Sequence, residues 1–293
     1  MTTATSTFSG HIRRRRIFAM AFAVLCAAAT FVAIGFLGLL LYDVLKQGLG
    51  GVSWDFINSY PSRKPEEAGI KAALWGTIWL MFMTAIFAVP IGIGSAIYLE
   101  EYAPRNWLSR IIQINISNLA GVPSIVYGLL GLALFVRAMQ LERSVMAGAL
   151  TISLLILPII IIAAQEALRA VPNSIREGAY AVGATRSQMV FRQVVPAALP
   201  GMMTGIILAL SRGIGETAPL IMIGALLFVP FTPDGPFSRF TVLPIQIFNW
   251  SQRPQEEFHQ NAAAAIIVLL IVLLTMNSIA IVLRNRFQNS HRG

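Results

Sequence analysis

The sequence predicts an all-α polytopic membrane protein with six transmembrane helices, on three observations. Hydrophobic residues make up 56% of the 293 and charged residues only 12%, with a mean hydropathy of +0.70, a composition outside the range of soluble domains. The apolar residues fall into runs long enough to cross a hydrocarbon core about 30 Å thick. With the N-terminus inside, the inside segments hold thirteen arginines against four glutamates, and the outside segments eight basic against eight acidic residues. That positive-inside bias accounts for the net charge of +9 and calls for no nucleic acid as partner. It makes the chain a multi-pass protein of the plasma membrane with both termini cytoplasmic.

Residues 1–16 form a cytoplasmic tail, polar and then basic, expected to lack order. Arg13 to Arg16 set the topology and suit contact with anionic membrane lipid. Residues 17–41 are the first transmembrane helix. A secretory signal core has about 7–15 apolar residues, whereas here Ala27-Ala28-Ala29 falls in the middle of a longer run, so the segment reads as uncleaved. Cys26 is the single cysteine and forms no internal disulfide.

Residues 42–71 are an external loop whose Trp54, Phe56 and Tyr60 fit either an interfacial aromatic belt or a docking surface. The remaining five transmembrane helices occupy the core of the chain, residues 72–283. The second, Ala72 to Tyr98, is expected to break near Pro90-Ile91-Gly92-Ile93-Gly94, which a span tolerates where the freed backbone meets protein or water. The third, Ile111 to Val136, contains Gly121-Val122-Pro123-Ser124-Ile125-Val126-Tyr127-Gly128-Leu129-Leu130-Gly131, whose small residues permit close helix approach. Ser124 lies in no G-x-S-x-G elbow and no span holds a histidine, so no catalytic residue is assigned. The fourth span is Met146 to Ala164, with Pro158 inside it.

Residues 165–196 are the longest inside segment between spans. Pro172 suits the start of a helix, Asn173 or Ser174 its cap and Gly183 its end. A short helix of that kind either seats in a groove on a cytoplasmic partner or lies along the interface. The fifth span, Leu199 to Val229, has 31 residues, roughly 46 Å if fully helical, so it tilts strongly or breaks. Gly201, Gly205, Ala209 and Gly213 make a small-residue ladder along it. Residues 230–260 form an external loop rich in proline and aromatics, Asn261 to Leu283 the sixth span, and residues 284–293 a basic cytoplasmic tail.

The fifth span also carries Arg212 and Glu216. A charged residue at the centre of a membrane helix costs roughly 2.5–3.5 kcal/mol, and an isolated i,i+4 pair returns only about 0.2–0.5 kcal/mol. Their helical spacing places them on one face, one turn apart. Such a face lines a polar pathway for an anion, or it is an internal salt bridge that only fixes packing. No histidine, cysteine, aspartate and glutamate cluster has metal-binding spacing, and His11, His259 and His291 stand isolated outside the spans. The chain holds no G-x-x-x-x-G-K-[ST] loop, so it does not cradle nucleotide phosphates by that route.

The inside segment resembles the EAA loop of ABC importer permeases, with Glu177, Ala179, Gly183 and Pro196 at matching spacing. Gly178, Gln193 and Val195 depart from that pattern. Arg212-Gly213-Ile214-Gly215-Glu216-Thr217-Ala218-Pro219 and Gly121 to Leu129 resemble the phosphate-importer permeases of the PstA type. The resemblance implies a type I ABC importer permease fold and a subunit that moves inorganic phosphate. It implies a second permease of the PstC type, two ATP-binding cassette ATPase subunits and an external phosphate-binding protein as partners. ATP is then used by the ATPase partner, and no cofactor is bound by this chain. Arg212 and Glu216 match positions associated with phosphate passage, and Glu177, Ala179 and Gly183 match the loop that receives the ATPase. The competing readings are an ion-coupled secondary anion transporter or channel, and a non-transporting membrane anchor.

Overall fold

The structure, a computed structural model, describes residues 5–225 and 228–290. In order the helices are α1 (Thr5–Gly48), α2 (Trp54–Asn58), α3 (Lys71–Ile97), α4 (Trp107–Ala120), α5 (Ser124–Gly131) and α6 (Val145–Arg169). They are followed by α7 (Asn173–Ala181), α8 (Arg186–Met189), α9 (Val195–Gly215), α10 (Ala218–Ile223), α11 (Leu243–Ser251) and α12 (Glu256–Ser290). Wider π-helical turns extend α3 over Tyr98–Tyr102, extend α5 over Leu132–Ala138 and join α8 to α9 over Val190–Val194.

Five of these stretches are long and apolar enough to cross a membrane, and the sixth candidate is the pair α4 and α5, bent by 104°. The third span is therefore not the single run expected for Ile111 to Val136. At Pro123 the backbone leaves the helical region (ψ 136°), and the proline disfavours helix at Val122 before it. The expected interruption at Pro90 does not occur, since α3 runs through it, as α6 runs through Pro158. The N-terminal segment differs too. Helix α1 begins at Thr5 and continues to Gly48, well past both ends of the span read from the sequence, and residues 1–4 lie outside the described residues.

Helix α6 is the centre of the molecule. Of its most apolar stretch 67% is buried, against 0% for α1. It packs between α3 and α9 through residues such as Leu80, Ile152, Ile156 and Ile206. Two polar contacts stitch α3 to α6 in this apolar setting: the Ser153 hydroxyl lies 3.3 Å from the Thr84 carbonyl, and Thr84 Oγ1 lies 3.4 Å from the Ala149 carbonyl. On the other side the expected ladder is present. A β-carbon on Gly201 would stand 2.9 Å from Ala167 Cβ, Gly205 faces Ala163, and Gly213 faces Ile152 and Ile156.

The segments read as two external loops are folded against each other into a cap. Phe56, Trp250 and Phe258 are buried together, with ring centroids 6.0 and 6.3 Å apart. Thr77 of α3 accepts a hydrogen bond from the Leu243 amide at 2.9 Å, satisfying one of the orphan donors at the start of α11. Of the three aromatics expected at the interface, Trp54 is exposed and Phe56 is core, while the Tyr60 ring meets the Lys71 ammonium at 5.4 Å.

Candidate functional site

The fifth span breaks rather than tilts. Helix α9 stops at Gly215, Glu216 is extended (ψ 117°), and α10 begins two residues later with Pro219 in its first turn. The charged pair bridges that break, so it does not lie along one helical face as the spacing predicts. Arg212 sits in the last turn of α9, where a cation complements the helix dipole, and its Nε donates to Glu216 Oε1 at 3.3 Å. The arginine side chain is 49% exposed and the glutamate 18%. One guanidinium edge is therefore held and the rest is open to whatever faces the bundle at that level. Beside it the Ser211 hydroxyl lies 2.7 Å from Asn277 Oδ1 of α12, a polar tether that helical periodicity alone does not reveal.

The third- and fifth-span motifs meet. A β-carbon on Gly128 would stand 2.7 Å from Pro219 Cα and 2.8 Å from Met222 Cβ, so α5 lies directly on α10. Gly131 similarly meets Thr151 of α6. Gly224 ends α10 at φ +85°, and a β-carbon there would lie 2.7 Å from Arg143 Nε. The small residues thus permit the bent third span and the broken fifth span to nest at the level of Arg212 and Glu216.

At the end of α6 that carries residues 165–196, α7 forms the expected short helix. Its termination is a Schellman arrangement: Gly183 at φ +81° donates to the Tyr180 carbonyl at 2.9 Å, and Ala184 donates to that of Ala179 at 3.0 Å. Asn173 and Ser174 do not cap it, since Pro172 occupies the N-cap position. Glu177 and Gly183 are exposed, whereas Ala179 is buried among Leu168, Val171, Met189 and Val190. Ala179 therefore seats the helix while Glu177 and Gly183 face outward. Val182, 85% exposed, adds an apolar edge to a cavity of about 260 Å³ that includes Gly183, Gln188 and Arg192.

A polar cluster beneath α7 escapes sequence reasoning. Arg176 Nη2 donates to Glu101 Oε1 at 2.7 Å and to the Leu168 carbonyl at 3.0 Å, and Nη1 donates to the Val171 carbonyl at 2.8 Å. Glu101 is only 7% exposed. Arg169 bridges Glu100 and Glu166, both at 2.9 Å. Gln113 of α4 and Gln165 of α6 exchange two hydrogen bonds of 2.9 Å. Among the described residues no group of acidic, histidine or cysteine side chains could hold a metal ion. A cavity of about 450 Å³ between α3, α9 and α12 is lined almost wholly by apolar side chains such as Met81, Phe82 and Ile271, and offers an anion nothing.

The pattern of a known family, described as "Binding-protein-dependent transport system inner membrane component", matches residues 88–290. The probable ABC transporter permease protein YqgI of Bacillus subtilis (strain 168) is 33% identical over 234 residues, 79% of this chain and 76% of its own. The phosphate transport system permease protein PstA of Yersinia pestis is 31% identical over 261 residues, 89% of this chain and 88% of its own. Among solved structures, a bacterial alginate ABC transporter in complex with an alginate pentasaccharide-bound periplasmic protein shares the fold. Its TM-score is 0.61 at 18% identity, over 93% of this chain and 95% of that one.

Proposed function

The chain belongs to the family of binding-protein-dependent transport system inner membrane components, and from that premise we propose that it is the permease subunit of an ATP-driven importer of inorganic phosphate. The observation that carries the cargo is Arg212, a half-exposed guanidinium at a break within a membrane span, held on one edge only by Glu216 at 3.3 Å. Its planar fork matches phosphate oxygens in pairs, which an ammonium does not. The PstA likeness points to the same cargo.

In this reading the end bearing residues 165–196 is cytoplasmic, as are both termini. Glu177, Gly183 and the apolar edge at Val182 receive an ATP-binding cassette subunit, and Ala179 fixes the helix that does so. A second permease of the PstC type covers the open side of Arg212, two ATPase subunits supply ATP hydrolysis, and an external phosphate-binding protein delivers cargo to the opposite face. The chain itself catalyses no reaction. Closure of the ATPase pair moves α7, and with it the bundle of α3, α6 and α9, so that access to Arg212 passes from one side to the other. Glu216 holds the guanidinium and keeps phosphate from binding too tightly. It also accepts a hydrogen bond from protonated phosphate.

A secondary anion transporter predicts flux through this chain alone. The two are separated by reconstituting the purified chain, and separately its complex with the second permease and the ATPase subunits, supplied with the phosphate-binding protein, into vesicles and following labelled phosphate. Uptake only with the complex and ATP is the expected result. Phosphate flux through the isolated chain along an ion gradient would overturn the proposal.

A further inference from the structure

Two arginines on either side of the Gly183 corner in residues 165–196 grip one turn of the second span, and we propose that this double grip is the linkage that makes α3 follow α7. The inference rests on the importer reading and adds to it the residues through which movement is transmitted.

The gripped element is the π-helical turn Tyr98–Tyr102, a local widening of the kind often found at functional sites. From α7, Arg176 reaches the Glu101 carboxylate at 2.7 Å and also holds two carbonyls of the α6 terminus. From α8, beyond the corner at Gly183, Arg186 donates to the Glu101 backbone carbonyl and lies 5.1 Å over the Tyr102 ring. One attachment fixes a distance and lets a short helix pivot about it. Two attachments on either side of a corner fix orientation as well, so a rotation of α7 carries the end of α3 with it.

Stability alone does not call for these charges. Ile97, Leu168, Ala179, Met189 and Val190 already form an apolar cluster that seats the segment, and a buried ion pair exchanged for apolar residues of similar size is often neutral or stabilising. What the pair adds is direction: charge-assisted hydrogen bonds fix geometry, and apolar contact does not. Arg176 and Arg186 are thus positioning residues.

The test uses the intact importer in vesicles and reads phosphate imported per ATP hydrolysed. The paired variant Glu101→Leu with Arg176→Met removes both charges, leaving no unpaired buried charge. It is expected to keep its melting temperature and its ATPase partner while the ratio falls by about fivefold or more, the lower range of energetic coupling between sites. Arg186→Met, which touches no buried charge, is expected to lower the ratio too. Arg176→Lys is expected to restore part of it. A wild-type ratio in either the paired variant or Arg186→Met overturns the linkage, and should the paired variant not fold, Arg186→Met decides. Absence of ATP-driven uptake in the unaltered importer would instead overturn the importer reading itself.

Discussion

Gly128 and Pro219 lie in contact so close that a β-carbon on the glycine would stand 2.7 Å from the proline Cα. That contact joins α5, the second limb of the bent third span, to α10, the second limb of the broken fifth. The two breaks support each other, and Arg212 and Glu216 bridge the second of them. Gly128→Ala therefore forces α10 away from α5. Overpacking of this sort costs about 1–3 kcal/mol, and both the thermal stability of the purified chain and phosphate uptake should fall. An unchanged melting profile would mean that the contact yields freely.

Gly183 at φ +81° sits where a side chain costs about 1–2 kcal/mol, with open space around it. Gly183→Ala is expected to weaken the Schellman end of α7 by that amount, and Gly183→Asn by less. Hydrogen exchange at the Gly183 and Ala184 amides reads this directly, because those two donors close the motif.

Glu177 points away from the chain, so reversing its charge leaves the fold alone and alters only what docks there. Glu177→Arg should reduce the amount of ATPase that copurifies with the chain. Equal copurification would remove Glu177 from the contact.

In the importer proposed above, Glu216 shares the guanidinium with the passing ion. The pair is partly exposed, and such pairs are worth about 0.2–1 kcal/mol. Glu216→Gln should then tighten the hold on phosphate by at most about fivefold, and Vmax and KM for uptake should fall together. A raised KM with unchanged Vmax would show that the carboxylate assists binding instead.

Arg212 and Glu216 were legible because charge is conspicuous within an apolar run, and Gly183 because only a glycine readily turns that corner. Glu101 was not. It follows the second span directly, where charges are ordinary, and its partner Arg176 lies 75 residues on, beyond the reach of any helical period. The prolines show the same limit. Pro90 and Pro158 sit within continuous helices, whereas Pro123, two residues after Gly121, accompanies a 104° bend, so residue type alone does not decide where a span breaks. The cap reads as loop in the sequence because Phe56 lies far along the chain from Trp250 and Phe258, and only their meeting buries them.

The central claim is that a guanidinium at the break in the fifth span carries the anion through. A charge-assisted hydrogen bond is worth about 1.5–3 kcal/mol, about 10- to 160-fold in rate. The direct measurement is ATP-driven uptake of labelled phosphate by the reconstituted importer with Arg212→Gln, after confirming that its subunits still copurify. A loss of that size is predicted; uptake at the unaltered rate would contradict the account.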